Sequence, residues 1–211
     1  MVHFLLHGSS SMTTTPEVLG LVPMPDAPLD ADIEAMQRLA AGDDEALKEI
    51  MQRWSDKVAA FLLRMTGEPA TAGDLAEETF VKLFQNCGTY SPSATFSTYL
   101  FTIASNLARN HERWRQRHPT VELEEEVYDA HAVSAESHPD TQMENSERQG
   151  EIEAALAALP TSLREAMLLL TYENMSYAEI ASATGCNVKT VEMRIYRARQ
   201  LLKDWLKDDH T

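Results

Sequence analysis

The sequence predicts an all-α protein: two small helical domains joined by an acidic flexible linker, with a helix-turn-helix in the C-terminal domain. Apolar residues recur at three- to four-residue spacing through most of the chain, which is typical of amphipathic helices. Helix start and stop signals divide these stretches into short helices. One acidic segment lacks any such spacing. The resulting division is a leader at 1–30, a first domain at 31–118, a linker at 119–147 and a second domain at 148–211.

The charge distribution separates the linker from its neighbours. The chain of 211 residues has a formal net charge of −15, a balance that by itself argues against a nucleic-acid-binding protein. Residues 119–147, however, contain nine acidic residues and no Lys or Arg, whereas residues 109–117 contain four Arg and one Glu. The acidity is therefore concentrated in the predicted linker, and a basic surface remains available on the first domain.

The remaining composition excludes several classes of protein. The Thr, Ser and Pro content of residues 1–30 predicts a disordered leader, and its brief apolar run is too short for a signal peptide or a membrane helix. Cys87 and Cys186 have no CxxC spacing and no neighbouring His pair, so we expect neither a zinc site nor a disulfide framework. No other metal and no cofactor is expected. There is no Gly-rich phosphate loop and no Ser/His/Asp arrangement, so an enzyme is not expected.

The first domain is predicted to begin with three helices. A short helix runs from Asp30 to Leu39, and Asp43 then caps a long helix that ends before Gly67. The third helix covers about 71–85, and its core face is predicted to carry Leu75, Ala76, Phe80, Leu83 and Phe84. Its acids, Asp74, Glu77 and Glu78, form either a solvated face or a docking surface for a basic partner.

The fourth helix, predicted at 96–117, has two faces of different chemistry. Its apolar face is predicted to carry Phe96, Tyr99, Leu100, Ile103, Leu107 and Trp114. Its polar face carries Thr102, Asn106, Arg109, Asn110 and Arg113. Amides and guanidinium groups together can contact both base edges and phosphates. One or two of these Arg residues are also explained by the helix dipole alone.

The C-terminal domain has the signals of a helix-turn-helix. Ser162-x-x-Glu165 and Ser176-x-x-Glu179 have the spacing of capping boxes, which predicts two helix starts. Gly185 supplies the left-handed residue that ends the second helix, and Asn187 is the expected N-cap of the third.

The third helix of this unit is predicted to be the recognition helix. Its predicted core face carries Val188, Val191, Ile195, Ala198 and Leu202. The opposite face is basic and carries Lys189, Arg194, Arg197, Arg199 and Lys203. Such a face fits a DNA major groove, although an amphipathic helix with ordinary solvated charges has the same pattern.

Three segments, in order, resemble the extracytoplasmic-function (ECF) sigma factors, the two-domain specificity subunits of bacterial RNA polymerase. DLAEETFVKLFQN begins at Asp74, YSPSATFSTYLFTIASNLARNHERWRQR begins at Tyr90, and ALPTSLREAMLLLTYENMSYAEIASATGCNVKTVEMRIYRARQLL begins at Ala158. They are similar, respectively, to the polymerase-binding helix, the segment that melts and reads the minus-ten element, and the domain that reads the minus-thirty-five element. The resemblance covers about 32–206.

The resemblance implies three sets of site residues, each serving one contact. The docking set, for the clamp helices of core RNA polymerase, is Asp74, Glu77, Glu78, Phe80 and Leu83. The minus-ten set, which would hold a flipped base of the non-template strand, is Tyr90, Ser91, Ser93, Asn106, Arg109, Asn110 and Arg113. The minus-thirty-five set is Lys189, Thr190, Arg194, Tyr196, Arg197 and Arg199. A cytoplasmic transcription initiation factor controlled by an anti-sigma factor is the implied function.

Two other functions share part of this pattern. A LuxR-like regulator also carries a capped helix-turn-helix, but it would need a ligand or receiver domain with strands in its N-terminal half. An adaptor that mimics a sigma surface would not need Arg on both DNA-facing surfaces. Glu192 departs from the family pattern, because an acid there repels phosphate and yet can accept a hydrogen bond from cytosine.

Overall fold

The computed structural model describes residues 29–91, 95–118 and 150–208, and these contain helices and no strand. The helices of the first domain are α1 (Leu29–Ala40), α2 (Glu45–Thr66), α3 (Pro69–Gln85) and α4 (Phe96–Arg117), with a 3₁₀ turn at Cys87–Thr89. Those of the second domain are α5 (150–158), α6 (Thr161–Thr171), α7 (Tyr177–Thr184) and α8 (Val188–Asp208). The all-α prediction is confirmed. The predicted linker, and the leader up to residue 28, lie outside the described residues.

The core of the first domain is built on aromatic residues of α2 and α4. The ring of Trp54 packs 5.5 Å from that of Phe96 and 6.2 Å from that of Phe101, and Phe61 lies 5.2 Å from Phe101, all between ring centroids. The tilted and edge-on ring angles are those that the aromatic quadrupole favours. This packing fixes α4 across α2 and sets the orientation of the polar face of α4.

Helix α1 is fastened to α2 through one buried carboxylate. Asp32 is 2% exposed and accepts hydrogen bonds from Arg53 Nε at 2.8 Å and from the indole N–H of Trp54 at 3.1 Å. A buried charge needs such partners, because an unpaired one would be costly in the interior. The N-terminal helix is thus an integral part of the first domain.

Three of the predicted capping devices of the helix-turn-helix are confirmed. Ser176 Oγ accepts from the backbone N–H of Glu179, whose carboxylate accepts from the Ser176 N–H at 2.9 Å, so that α7 begins with a complete capping box. Gly185 ends α7 with φ of 66°, in the left-handed region where a Cβ is strained. Asn187 Oδ1 then accepts from Thr190 N at 2.8 Å and starts α8.

The capping box predicted at Ser162 and Glu165 is wrong. Helix α6 begins at Thr161, directly after Pro160, and no side chain caps it. Ser162 therefore lies inside the first turn, where it cannot serve as the N-cap, and Glu165 lies more than one turn into the helix. The carboxylate of Glu165 is instead completely buried, at 0% exposure, in the contact between the two domains.

Three apolar residues that were predicted to be in the core are exposed, and two of them, Val188 and Trp114, lie near helix ends. Val188 is 42% exposed because it is the first residue of α8, before the helix meets α6 and α7. Trp114 is 53% exposed near the end of α4, where its ring stacks on His111 and His118 rather than on the core. The buried residues of α8 are Val191, Ile195 and Ala198, as predicted.

The two domains pack directly against each other. Helix α4 of the first domain lies on α7 of the second, α2 lies on α6, and the buried apolar side chains of both domains form one continuous cluster. This arrangement brings α4, whose polar face carries most of the minus-ten set, against the helix-turn-helix.

Candidate nucleic-acid interface

Helix α8, the predicted recognition helix, forms one side of a groove. The groove has a volume of about 430 Å³ and runs between the start of α6 and the first three turns of α8. Four residues of the minus-thirty-five set line it, and these are Lys189, Thr190, Arg194 and Arg197. Asn187, Ser162 and Met193, which also line it, were not predicted as site residues. Cations, amides and hydroxyls on one concave surface can contact phosphates and base edges together.

Tyr196 and Arg199 do not line this groove. Successive residues of a helix are rotated by about 100°, which turns these two side chains toward the side of α8 that carries Glu192. Both are exposed, Tyr196 at 61%. The structure therefore divides the minus-thirty-five set between the groove and an adjacent face.

A second concave pocket lies between the end of α3 and the middle of α4. Its volume is about 350 Å³, and it brings together Asn106 and Asn110 of the minus-ten set. The apolar wall is formed by Tyr99, Ile103 and Leu107, and the remaining polar lining by Lys82, Asn86 and Thr89. An apolar wall with a few polar groups at the edge is the usual form of a site for a small planar ligand. Of this lining, sequence reasoning had found only the two Asn residues as site residues.

The loop side of this pocket is held by local hydrogen bonds. Asn86 Nδ2 donates to the carbonyl of Lys82 at 2.8 Å, and Thr89 Oγ1 donates to the carbonyl of Asn86 at 2.9 Å. The short 3₁₀ turn that follows α3 thus has a defined shape. The signal that could have identified these residues was the turn-forming run after α3, which places polar groups beside the middle of α4.

The other described members of the minus-ten set do not line the pocket. The ring of Tyr90 packs 5.0 Å from that of Tyr99 and 6.4 Å from that of Phe96, and burial raises the pKa of its hydroxyl. Ser91 is exposed, and Ser93 lies outside the described residues. Arg113 is exposed and donates to Asn110 Oδ1 at 3.4 Å. Tyr90 thus packs against Tyr99 of the pocket wall and does not line the pocket itself.

Arg109 is directed toward the second domain. Its Nη1 donates to Glu165 Oε1 at 2.9 Å and to the carbonyl oxygen of Thr184 at 3.2 Å, and its Nη2 donates to Asn106 Oδ1. Thr184 is the last residue of α7, where unsatisfied carbonyl groups and the helix dipole attract a cation. The residue predicted to contact DNA is therefore engaged by two groups of the other domain.

The environment of Glu165 is dominated by burial. Burial raises the pKa of its carboxyl group, and the neighbouring charges of Arg109 on α4 and Arg194 on α8 act in the opposite direction. Its second oxygen, Oε2, has no hydrogen-bond partner within the part of the chain that the structure describes. Arg109 thus stabilises the ionised form of Glu165. The free energy gained when the domains pack must offset the cost of burying this carboxylate.

We expect the packed state to be more stable at mildly acidic pH as far as Glu165 is concerned. The pKa of Glu165 is higher in the folded protein than in the unfolded chain, so protonation of its carboxyl group stabilises the folded protein. This stabilisation is fully present below the unfolded pKa of 4.5 and is lost as pH rises through the folded pKa. The measurement is the melting temperature of wild type and Glu165→Gln between pH 4.5 and 8. The melting temperature of wild type relative to that of Glu165→Gln should fall as pH increases. A difference in melting temperature that does not change with pH would contradict the prediction.

The structure corrects the docking set. Phe80 is 4% exposed and Leu83 is 0% exposed, so both belong to the core and neither can contact a partner. The exposed apolar residues of α3 are Val81 and Phe84, at 50% and 44%. Phe84 had been predicted on the core face. Asp74, Glu77 and Glu78 are exposed as expected, and Glu78 pairs with Lys82 at 3.3 Å.

No described helix is both long and apolar enough to cross a membrane. Within the described residues there is also no cluster of His, Cys, Asp and Glu that could hold a metal ion.

Family models match both domains of the chain. Residues 50–118 match the model of Sigma-70 region 2, and residues 149–202 match that of Sigma-70, region 4. The RNA polymerase sigma-H factor of Pseudomonas aeruginosa is 30% identical over 178 residues, which cover 82% of this chain and 92% of that protein. The ECF RNA polymerase sigma-E factor of Haemophilus influenzae is 30% identical over 179 residues, which cover 82% of this chain and 94% of that protein.

Two solved structures share the fold. CnrH in complex with the cytosolic domain of CnrY has a TM-score of 0.63 at 24% identity and covers 85% of this chain and 99% of CnrH. The sigma factor RpoE of Bartonella quintana, in complex with the anti-sigma factor NepR, has a TM-score of 0.60 at 24% identity and covers 76% of this chain and 96% of that protein.

Proposed function

This chain belongs to the extracytoplasmic-function sigma factors. We propose that each of three surfaces binds one partner: the groove at α8, the pocket between α3 and α4, and the exposed face of α3. As a sigma factor it binds core RNA polymerase and directs promoter recognition and transcription initiation. The matches to both sigma regions favour this function over a LuxR-like regulator. It supplies no catalytic residue, since nucleotide addition belongs to the polymerase, and it acts in the cytoplasm, where the polymerase and the promoter are.

The pocket between α3 and α4 is proposed to hold one flipped base of the minus-ten element. The observation that carries this assignment is the position of Asn106 and Asn110 opposite Lys82 and Thr89, above the apolar wall of Tyr99 and Ile103. An unstacked base needs an apolar surface for its ring and polar groups for its edge, and this pocket supplies both. The exposed Arg113 would then contact a neighbouring phosphate.

The groove of the helix-turn-helix is proposed to receive the minus-thirty-five duplex. Lys189, Thr190, Arg194 and Arg197 would enter the major groove, while Tyr196 and Arg199 would reach the flanking backbone from the adjacent face. The domain division at 31–118 and 148–211 assigns one promoter element to each domain, with the acidic segment 119–147 as the spacer between them.

Core polymerase is proposed to bind the exposed face of α3, which carries Val81, Phe84 and the acids Asp74, Glu77 and Glu78. Two exposed apolar side chains among carboxylates suit a partner that presents apolar and basic groups together. The relative in complex with NepR suggests a further partner. We propose that an anti-sigma factor controls this chain as well.

The experiment that tests the function is run-off transcription from genomic fragments with core RNA polymerase, with and without this protein, followed by mapping of the start sites. The expected result is a set of transcripts that depend on the protein and share two upstream elements. If no transcript depended on the protein, although it co-purified with polymerase, the promoter-recognition function would be refuted.

Arg197→Ala is expected to weaken binding to minus-thirty-five duplex by about 1 to 3 kcal/mol if the residue contacts a base. If Arg197 contacts only phosphate, the loss should be smaller and equal across sequences. The measurement is fluorescence anisotropy with duplex from a mapped promoter at fixed salt. Arg199→Ala, which removes the same charge at a proposed backbone contact outside the groove, is the matched comparison, and equal losses for the two variants on every sequence would contradict a base contact by Arg197.

A further inference from the structure

The groove at α8 presents one apolar side chain to solvent among its polar ones. Met193 lines the groove and is 47% exposed. Leu163, the other apolar residue of the lining, is 8% exposed and belongs to the hydrophobic core. Met193 is therefore the apolar group that the groove offers to a bound molecule.

Cations surround Met193 along α8. Residues four positions apart lie next to each other on a helix surface, so Lys189 lies one turn before Met193 and Arg197 one turn after it. Both line the same groove, as does Arg194. In the proposed complex with duplex DNA, these cations contact phosphates and base edges on either side of the methionine. The thioether then faces the edges of the base pairs in the major groove.

A methionine side chain in this position can recognise one feature of those edges. It has no N–H or O–H donor, and its sulfur is a weak acceptor. Among the groups that base pairs present in the major groove, the 5-methyl group of thymine is the apolar one. The unbranched, polarizable thioether adapts its shape to such a partner. Contact with an amino or carbonyl group of another base would cover a polar group without a hydrogen bond, which costs free energy.

We propose that Met193 makes this chain specific for a thymine in the minus-thirty-five element, through contact of its side chain with the 5-methyl group of that base. The inference rests on the proposed binding of the minus-thirty-five duplex in the groove. Burial of one methyl group changes a binding constant by about fourfold, which sets the expected size of the preference. The alternative is an exposed methionine that contacts no base, since apolar side chains are common on protein surfaces.

The test is a selection followed by removal of single methyl groups. The full chain captures duplexes from a library of short DNA duplexes with a randomised centre. Each thymine of the selected sequence is then replaced, one at a time, by deoxyuridine, which forms the same base pair and lacks only the 5-methyl group. Fluorescence anisotropy measures the affinity for each duplex at one fixed salt concentration, because the phosphate contacts depend on salt.

Three variants separate Met193 from its surroundings. Met193→Ala shortens the side chain, changes no charge and keeps a good helix-forming residue. Leu201→Ala is the matched control, because Leu201 is also 47% exposed on α8 but does not line the groove. Met193→Leu keeps an apolar side chain in the groove. Melting temperatures verify that each variant is folded.

Wild type is expected to select a sequence with thymine at one position and to bind about fourfold more weakly when that thymine becomes deoxyuridine. Met193→Ala should bind the thymine and deoxyuridine duplexes equally. Leu201→Ala and Met193→Leu should retain the preference for the methyl group.

Three results would overturn the proposal. Selection of no sequence by wild type would show that the groove distinguishes no base. Equal affinity of wild type for the thymine duplex and every deoxyuridine duplex would show that no methyl group is recognised. A preference as large in Met193→Ala as in Leu201→Ala would assign the contact to another groove residue, such as Thr190, whose side chain also carries a methyl group. Failure of the proposed sigma function is distinct from these results, because the selection contains no polymerase and that failure appears as absence of dependent transcripts in the run-off experiment.

Discussion

Phe84→Glu is expected to abolish binding to core RNA polymerase while leaving the fold intact. Phe84 is 44% exposed on α3, next to Val81 at 50%, so the substitution removes no core contact. An aromatic anchor at the centre of an interface contributes about 2 to 4 kcal/mol, and a carboxylate buried in its place adds a desolvation cost. The measurement is co-purification with core polymerase and a fluorescence titration, with the melting temperature as the measure of folding.

Phe80→Ala provides the opposite control on the same helix. Phe80 is 4% exposed, and truncation of a buried Phe typically costs about 3 to 5 kcal/mol of stability because a cavity remains. We expect a large fall in melting temperature, with polymerase binding retained by the molecules that stay folded. If Phe80→Ala lost binding without losing stability while Phe84→Glu kept binding, the corrected assignment of the two faces would be wrong.

Arg109→Ala is expected to weaken domain packing by about 3 kcal/mol, since removing one partner of a buried ion pair leaves an uncompensated charge. Glu165 would then be buried without Arg109, its only hydrogen-bonded cation within the described residues. Because separation of the domains lets water reach Glu165, the expected result is an open molecule. Small-angle X-ray scattering should show a larger radius of gyration, and urea denaturation a lower stability.

Glu165→Gln in the Arg109→Ala background is expected to restore most of the loss. A neutral amide does not require a cation in the interior, and it has nearly the shape of the carboxylate. Arg113→Ala removes a similar charge from the exposed part of α4 and should leave both measurements unchanged. A double variant as open as Arg109→Ala would contradict the assignment of the loss to the buried charge.

The parts of the fold that local chemistry decides could be predicted from the sequence. Ser176, Glu179, Gly185 and Asn187 act on backbone groups within four residues, and the structure places each in the predicted capping role. Such interactions depend little on the rest of the molecule. The position and order of the helix-turn-helix follow from them.

The faces of α3 could not be assigned in the same way. Phe80, Leu83 and Phe84 have the spacing of a single apolar stripe, and their sequence does not show where α2 and α4 cover the helix. Packing of these two helices buries the first two residues and leaves Phe84 at the edge. Helical periodicity predicts the direction of the buried face but not its width. Whether a residue at the edge of that face is buried can therefore be decided only from the tertiary structure.

Glu165 shows a second limit of sequence reasoning. The Ser-x-x-Glu spacing is present, but Pro160 sets the helix start too early for it to act as a capping box. The partner of Glu165, Arg109, is 56 residues away in sequence and belongs to the other domain. No local pattern indicates such a contact. It places the predicted capping residue Glu165 and the predicted DNA-contacting residue Arg109 in one ion pair between the domains.

The buried position of the Arg109–Glu165 pair makes this contact less sensitive to ionic strength than an exposed ion pair. The pair lies inside the protein, where mobile ions screen little, whereas an Arg–phosphate contact weakens steeply as salt rises and counterions are less readily released. Concentrated electrolyte should therefore weaken the proposed DNA contacts of this chain more than it weakens the Arg109–Glu165 pair.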